Sequence, residues 1–449
     1  MSELVNELQK IDNLQVFTGD MIGGDYCHDE YPGGNFVPAA VVEAATTEAV
    51  AAVIKLCYEA DVPVTVRGAG TGQMGGSVPV KGGVVLSMKA MNKILGYDEA
   101  AQILRVQPGV VLQDVKAEAD KLGMYYPPDP GEQTATIGGN VATNASGPCA
   151  VKYGKTADYV ADAVLVLADG SIANLANNVA VIGTEGTLAI IAEISLKLID
   201  KPQADAILLF PVMDTESAIN AAKAIMEAGY EPSVVEYMDT DLIEFSGNVT
   251  GNPVFPIDVD GERPGATLMV TIEGADDDDV MEKMETIAGM AEEGEIEPLD
   301  ILVGDSVSMK REFWAAHGAF HTSMESGAKS AREINIDVPA DAMTEMVEFA
   351  KGLAEEKGVK ALIHAHVGSG GMHIHIASDL TKAELAPIYA EISGEVYAKC
   401  AELGGSVRGE YGYGYGKLSY VSDAVKDEFA ANKATMDPKG ILNPGKIAD

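Results

Sequence analysis

Six of the chain's seven histidines fall between His317 and His375, and four lie in the stretch IHAHVGSGGMHIHI at 363–376. Read as a hairpin centred between Ser369 and Gly370, the stretch sets His366 opposite His373 and His364 opposite His375. Strand side chains alternate with a period of two, so all four imidazoles face one side. Such a face is either an exposed polar surface or a site that holds a metal or handles protons. Four imidazoles are costly to bury as mere packing, which favours the second reading.

Three glycine-rich stretches carry a second chemistry: RGAGTGQMGG (67–76), TIGGNVATNASG (136–147) and GTEGT (183–187). GTGQMG (70–75) satisfies GxGxxG, but Pro79 and a further strand follow it where a dinucleotide fingerprint requires a helix. Small residues between two strands instead expose successive backbone N–H groups, a concavity suited to phosphate oxygens. Arg67 can add charge. A single such loop is as readily a flexible connection; three in one region favour a phosphate-bearing ligand. A fourth stretch, GEYGYGYGK (409–417), alternates glycine with tyrosine. It predicts an extended strand with Tyr411, Tyr413 and Tyr415 on one face, its glycines allowing close backbone approach.

These residues need elements to position them. Residues 40–60 read as a helix, with Val50, Val53, Ile54 and Cys57 at i, i+3, i+4 and i+7. VPVTV (62–66) is a strand feeding the first glycine loop, and GVVLSM (83–88) is the strand after it. QILRVQPGVVL is strand, turn and helix start, with a helix over 111–122. Residues 125–154 read as a loop rich in turn residues. DYVADAVLVLADGS (158–171) is a strand ending in an Asp-Gly hairpin. Residues 183–199 read as a glycine loop, then a strand pair. DKPQ (200–203) marks a boundary between a domain at 1–202 and a second at 203–449. Beyond it ADAILLFPV, DTESAINAAKAIMEAG and PSVVEYMD give strand, helix, strand, and GATLMVTIEG with the acidic helix after it repeats the pattern. The expected class is α+β, the second domain an antiparallel sheet with helices on one face.

Composition narrows the function classes. A chain of 449 residues suits two or three domains, and 47% hydrophobic residues suffice for their cores. The formal charge of −38 repels nucleic acid and anionic lipid, so an anionic substrate must be held by local cations. Cys27, Cys57, Cys149 and Cys400 form no CxxC pair. That disfavours an iron–sulfur cluster or zinc ribbon and suits a reducing cytoplasm. No signal-peptide pattern opens the chain, and no apolar run reaches the roughly 18–20 residues of a membrane span. The expected setting is cytoplasmic, with neither nucleic acid nor membrane as partner.

PVTVRGAGTG, YPPDPGEQTATIGGNVATNASGP, GTEGTLAII and the terminal DPKGILNPGK together resemble the FAD-linked oxidase family, in order and spacing, over roughly 35–446. The subgroup is that of the glycolate oxidase flavin subunit and the flavin D-lactate dehydrogenases. The resemblance implies a two-subdomain FAD domain of p-cresol-methylhydroxylase type. A ferredoxin-like α+β cap and a C-terminal segment returning to the flavin follow. It implies that Gly68, Ala69, Gly70, Thr71 and Gly72 cradle the pyrophosphate, with Arg67 beside them. Gly138, Gly139 and Asn144 would lie along the flavin, Ile190 at the adenine end, and Asn443 near the ring; Pro128 and Gly186 complete the set. Some relatives attach the flavin through a histidine in the first loop. Here Thr71 stands in that neighbourhood and the nearest histidine is His28, so non-covalent FAD is expected.

The resemblance also assigns His366 and His373 to the two histidines of a divalent-metal signature, with Glu410 as third ligand. Zinc, iron or manganese suits that set, and His364 and His375 would support it or add ligands. The substrate side departs from the family. Relatives read Gly-Glu-His-Gly where this chain has Gly-Glu-Tyr-Gly, so Tyr411 takes the seat of their catalytic histidine. A phenol acts as base only if its pKa falls from about 10. Ser369 and Gly371 replace an aspartate and an asparagine of the signature. His317 stands where relatives carry a carboxylate-holding arginine, with His321 one helical turn on. Glu333 or Arg332, depending on register, replaces a lysine. Arg332, Arg408 and Lys417 remain as candidate carboxylate holders.

The implied activity is FAD-dependent oxidation of a C–OH group, with Tyr411, His317 and His321 as candidate catalytic residues. The substrate is either a hydroxy acid held differently or a neutral, aromatic or sugar-like alcohol. Electrons would leave to oxygen, a quinone, or a partner such as an electron-transfer flavoprotein or other redox subunit. The chain would then act as a homo-oligomer or complex subunit. Two readings of other classes stand beside it: a flavin-carrying subunit with a degenerate pocket, and non-redox flavin chemistry.

Overall fold

The computed structural model describes residues 1–175 and 181–447. The chain forms two compact units: Met1–Ser146, Lys155–Lys201 and Glu410–Asp449 make the first, Gly147–Gly154 and Pro202–Gly409 the second. The chain therefore crosses between units more than once.

In the first unit β1 (Leu14–Phe17), β2 (Ala40–Ala44), β3 (Val64–Arg67) and β4 (Val84–Ser87) form a sheet in the order β1-β2-β4-β3. The expected helix over 40–60 divides here. Ala40–Ala44 is a strand, and the helix begins at Thr47, where the Thr46 side chain accepts from Ala49 N and caps it. Val50, Val53, Ile54 and Cys57 are all fully buried against this sheet, as their spacing predicts. β3 and β4 are parallel neighbours, so the glycine-rich connection between them leaves from the C-terminal end of β3. Edge strand β3 is covered by the returning chain end: Val64 N donates to Ile441 O and Asn443 N to Val64 O, both at 2.7 Å.

A second sheet takes β5 (Ile94–Asp98), β6 (Ile103–Val106), β8 (Val160–Val166), β9 (Ile172–Asn174) and β10 (Ile190–Lys197) in the order β5-β6-β10-β8-β9. Short strands β7 (Met124–Tyr125) and β11 (Ile199–Asp200) pair with each other. The expected strand pair after the third glycine loop is thus two strands in different sheets. The stretch 125–154 holds two helices, Ile137–Thr143 and Ala150–Tyr153, where a loop is expected. Both are too short to show a period, and the glycines and asparagine of the first mask it further.

The second unit is built on one antiparallel sheet. Its strands are β12 (Ala204–Val212), β13 (Val234–Asp239), β14 (Ala266–Gly274), β15 (Leu302–Gly304), β16 (Ser330–Asp337), β17 (Lys360–His366) and β18 (Gly371–Ser378), in the order β15-β12-β14-β13-β17-β18-β16. Helices meet both faces, not one. Ile207 and Leu209 of β12 pack with Leu242, Phe313 and Phe320 from helices Thr240–Thr250, Val307–Gly318 and Phe320–Gly327. Ala204 and Ala206 of the same strand pack with Val280 of helix Asp277–Glu292. β12 is apolar at every position but Asp205, as a strand buried on both sides requires. No helix among the described residues is long and apolar enough to cross a membrane.

Candidate active site

A cavity in the first unit is walled by all three glycine loops. Gly68, Ala69, Gly70, Thr71 and Gly72 of the first loop line it, with Gly138 and Gly139 of the second and Gly186 of the third. Val66, Met88, Pro108, Ala189 and Ile191 add apolar walls. Added Cβ atoms would collide here: at Gly138 with Pro108 Cβ at 2.6 Å, at Gly186 with Val66 Cγ1 at 2.5 Å. Asn140 also lines the cavity, is buried, and its Nδ2 has no hydrogen-bond partner. A buried amide donor in that state costs free energy that an acceptor oxygen of a ligand would recover. Backbone cradles, apolar walls and this donor suit a flat heteroaromatic group joined to phosphates.

Five expected cofactor residues do not line this cavity. The Arg67 guanidinium turns into its own loop, donating to His28 O at 2.8 Å and Ser77 Oγ at 3.3 Å. Asn144 closes the helix Ile137–Thr143 in a left-handed conformation, φ 51°, and its Oδ1 accepts from Ala157 N. Ile190 packs in the core, and its neighbour Ile191 faces the cavity. Asn443 Nδ2 donates to Gly76 O and Glu185 O at 2.9 and 2.7 Å, tying the chain end to two glycine loops. Pro128 is buried away from the lining.

The expected extended strand at 409–417 is a run of turns. Gly409, Gly412 and Gly414 take φ of 56°, 80° and 51°, which breaks the alternation. The three tyrosines consequently diverge. Tyr411 lines the cavity, Tyr413 is buried with its ring edge-on to Phe429 at 6.1 Å, and Tyr415 packs against Tyr31 and Phe36. Glu185 of the third loop holds the turn, its two oxygens accepting from Tyr413 N and Gly414 N at 2.7 Å each. Met74 O accepts from Tyr415 N and Gly416 N at 2.7 and 2.9 Å. Glu410, also in this unit, accepts from Ser146 Oγ at 2.9 Å. Glu185→Gln puts an amide donor against a backbone donor. A loss of about 1–3 kcal/mol in urea unfolding is expected, and an unchanged midpoint would show that Glu185 does not hold the turn.

In the second unit the histidine hairpin has a different register from the expected one. The turn occupies 367–370, with Gly370 N donating to His366 O, so His364 pairs with His373 and Leu362 with His375. The shift is by two residues, which preserves the facing: all four imidazoles still share one side. His364 stacks on His373 with centroids 4.4 Å apart and on His375 at 5.3 Å. The same face carries Glu236 of β13, directly opposite His366, and Glu333 of β16, directly opposite His375. His317 and His321 reach it from the helices Val307–Gly318 and Phe320–Gly327. The turn at Ala319 separates these helices, where one continuous helix is expected.

Hydrogen bonds order this face. Glu236 takes His366 Nδ1 at 2.6 Å on Oε1 and His317 Nε2 at 3.0 Å on Oε2. Glu333 takes His373 Nδ1 at 2.7 Å on Oε1 and His321 Nδ1 at 3.1 Å on Oε2. Burial alone would raise both carboxyl pKa values. The charges and hydrogen bonds of the histidines outweigh it, holding Glu236 below and Glu333 well below the usual range. Burial lowers His364 strongly and brings His375 down to about 4, so both rings are neutral at neutral pH. The Glu333 hydrogen bond raises His321.

Ionised carboxylates only accept, so Nδ1 of His366 and of His373 carries the proton. The two Nε2 atoms converge to 3.2 Å, within hydrogen-bond distance of each other. Carboxylate-oriented imidazoles with converging Nε2 atoms fit a divalent metal.

The register at 332–333 is decided as well. Glu333 faces the histidines, and the Arg332 guanidinium lies over the Tyr389 ring at 4.5 Å. Lys417 belongs to the first unit and is fully buried. Glu236 escapes a sequence reading because it lies far from the hairpin; only a carboxylate in mid-strand, between Val235 and Tyr237, marks it. Asn140 and Glu185 sit within the second and third glycine loops, where with Asn144 they are the polar side chains that reach beyond a hydroxyl.

Three glycine loops around one cavity, joined to a unit with an antiparallel sheet, define a flavoprotein of the p-cresol-methylhydroxylase type. The sequence profile of the FAD binding domain matches residues 38–176, and that of the C-terminal domain of FAD linked oxidases matches residues 201–447. The chain belongs to the FAD-linked oxidases, oxidoreductases acting on CH–OH donors. A D-lactate dehydrogenase of Anaerostipes hadrus is 37% identical over 99% of this chain and 97% of its own. Glycolate oxidase subunit GlcD of Bacillus subtilis strain 168 is 30% identical over 94% and 91%. The solved structure of p-cresol methylhydroxylase with substrate bound matches at TM-score 0.81 and 18% identity, covering 100% of this chain and 96% of that one. That last likeness concerns the fold.

Proposed function

We propose that the chain is a metal-assisted, FAD-dependent dehydrogenase of a small 2-hydroxy acid, of the D-lactate or glycolate class. The observation that carries the metal reading is the facing Nε2 pair of His366 and His373, each ring pinned through Nδ1 by a buried carboxylate. The substrate class is drawn from the two relatives, which are a D-lactate dehydrogenase and a glycolate oxidase subunit.

FAD, when bound, supplies the hydride acceptor, and a divalent cation supplies Lewis acidity toward a substrate oxygen. In this reading the first-unit cavity holds FAD without a covalent link: its loops meet phosphate oxygens through backbone N–H groups and Asn140 offers its amide. His366, His373 and Glu410 hold the cation. Glu236 and Glu333 keep the two imidazoles in one tautomer and orientation. Tyr411 takes the proton of the substrate hydroxyl, and His317 acts through Glu236 as a positioning residue. Electrons leave through a redox partner, a quinone or oxygen, in the cytoplasm.

Anaerobic addition of D-lactate, glycolate and neutral alcohols to the holoenzyme tests this. The 2-hydroxy acids are expected to bleach the flavin near 450 nm, and a flavin that no 2-hydroxy acid reduces would refute the substrate class. Glu410→Ala is expected to purify without the bound metal. Full metal occupancy in that variant would remove Glu410 from the ligand set.

A further inference from the structure

The second unit contains another set of ligating atoms beside the His366–His373 pair. Glu333 on β16 and His375 on β18 are directly opposed in the ladder, and His321 overhangs them from the helix Phe320–Gly327. Glu333 Oε2 lies 3.1 Å from His321 Nδ1 and 3.8 Å from His375 Nδ1. One ligand atom from each residue lies within 4.8 Å of the other two. Atoms bound 2.0–2.2 Å from one ion stand at most about 4.4 Å apart, so little closure is needed.

His375 supplies an independent sign. It is 2% exposed, its Nε2 makes no hydrogen bond, and its Nδ1 is too far from Glu333 to make one. A buried imidazole whose nitrogens both lack hydrogen bonds is unexplained by packing. Coordination through Nδ1 would satisfy the nitrogen that points at Glu333.

We propose that His321, Glu333 and His375 bind a second divalent transition-metal cation of the zinc or manganese class. The role we assign to that ion rests on the hydroxy-acid reading above: it holds the substrate carboxylate. The nearest arginine does not take that role: the Arg332 guanidinium lies over the Tyr389 ring at 4.5 Å. His321 is 42% exposed along its side chain, which leaves that edge open to an incoming ligand.

The experiment titrates zinc alone into chelator-stripped protein that retains FAD, by calorimetry with elemental analysis after desalting. The wild-type chain is expected to take two equivalents. His321→Ala, at a half-exposed position, is expected to take one, or to bind the second at least tenfold more weakly. His366→Ala is expected to lose the other equivalent. In His321→Ala the KM for the hydroxy acid should rise more than kcat falls. A single wild-type equivalent that survives His321→Ala and is lost in His366→Ala overturns the second site and leaves the proposed function standing. A single equivalent with the opposite behaviour upholds this site and overturns the His366–His373 assignment. A second equivalent that survives both His321→Ala and His375→Leu is zinc held elsewhere and overturns the residue assignment. No zinc at all overturns both.

Discussion

His373→Ala is expected to purify yellow, with FAD at full occupancy, but without the ion of the His366 site and with turnover at least about a thousandfold lower. The thousandfold figure corresponds to about 4 kcal/mol of barrier, within the range that Lewis-acid stabilisation of a reacting oxygen supplies. His373 contributes to this site through one ring nitrogen and to its support through the other. Its Nε2 is half of the facing pair, and its Nδ1 holds Glu333 Oε1 at 2.7 Å. FAD retention is expected because the glycine loops that wall the cavity belong to the first unit and His373 to the second. Removing the ring leaves Glu333 buried with one partner fewer, so thermal unfolding of His373→Gln, whose amide can donate to Glu333, controls for folding. Glu236→Gln gives a graded version: the His366 ring loses its carboxylate, and metal affinity is expected to fall about 10–100-fold. A His373→Ala enzyme with normal turnover would refute the metal-assisted reading.

Gly138→Val is expected to yield folded protein that has lost most of its FAD, with the 450 nm to 280 nm absorbance ratio reduced at least about tenfold. Gly138 N donates to Pro108 O at 2.8 Å, which clamps the second glycine loop to the turn after β6. A Cβ there would sit 2.6 Å from Pro108 Cβ and 2.9 Å from Pro108 O. One of those atoms is backbone and the other belongs to a rigid ring, so neither yields by a rotamer change. The loop must move, or the valine must project into the cavity that Gly138 lines. Overpacking of this kind costs about 1–3 kcal/mol, and every 1.4 kcal/mol is tenfold in affinity. Circular dichroism separates flavin loss from unfolding. A variant that keeps stoichiometric FAD would show that this wall does not meet the cofactor.

The amino-acid sequence by itself determined the family, the class of fold and the neighbourhoods of the chemistry. Its glycine loops are local signals, because closely approaching backbone tolerates no side chain, and the histidines are legible because strand alternation survives an error of two residues in register. It could not decide the conformation of 409–417. There alternating glycine and tyrosine read equally as a strand and as turns, and the left-handed φ values at Gly409, Gly412 and Gly414 separate Tyr411 from Tyr413 and Tyr415. Nor could it decide between Arg332 and Glu333, since one residue of register reverses which side chain faces the histidines. Above all, only the tertiary structure brought Glu236 to His366 and Glu333 to His373. Those pairs are formed by strands adjacent in the sheet but distant in the chain, and the alignment that joins them leaves no trace in either segment alone. Two carboxylates hold two imidazoles through Nδ1, and that constraint turns a histidine-rich hairpin into an ordered face whose Nε2 atoms converge.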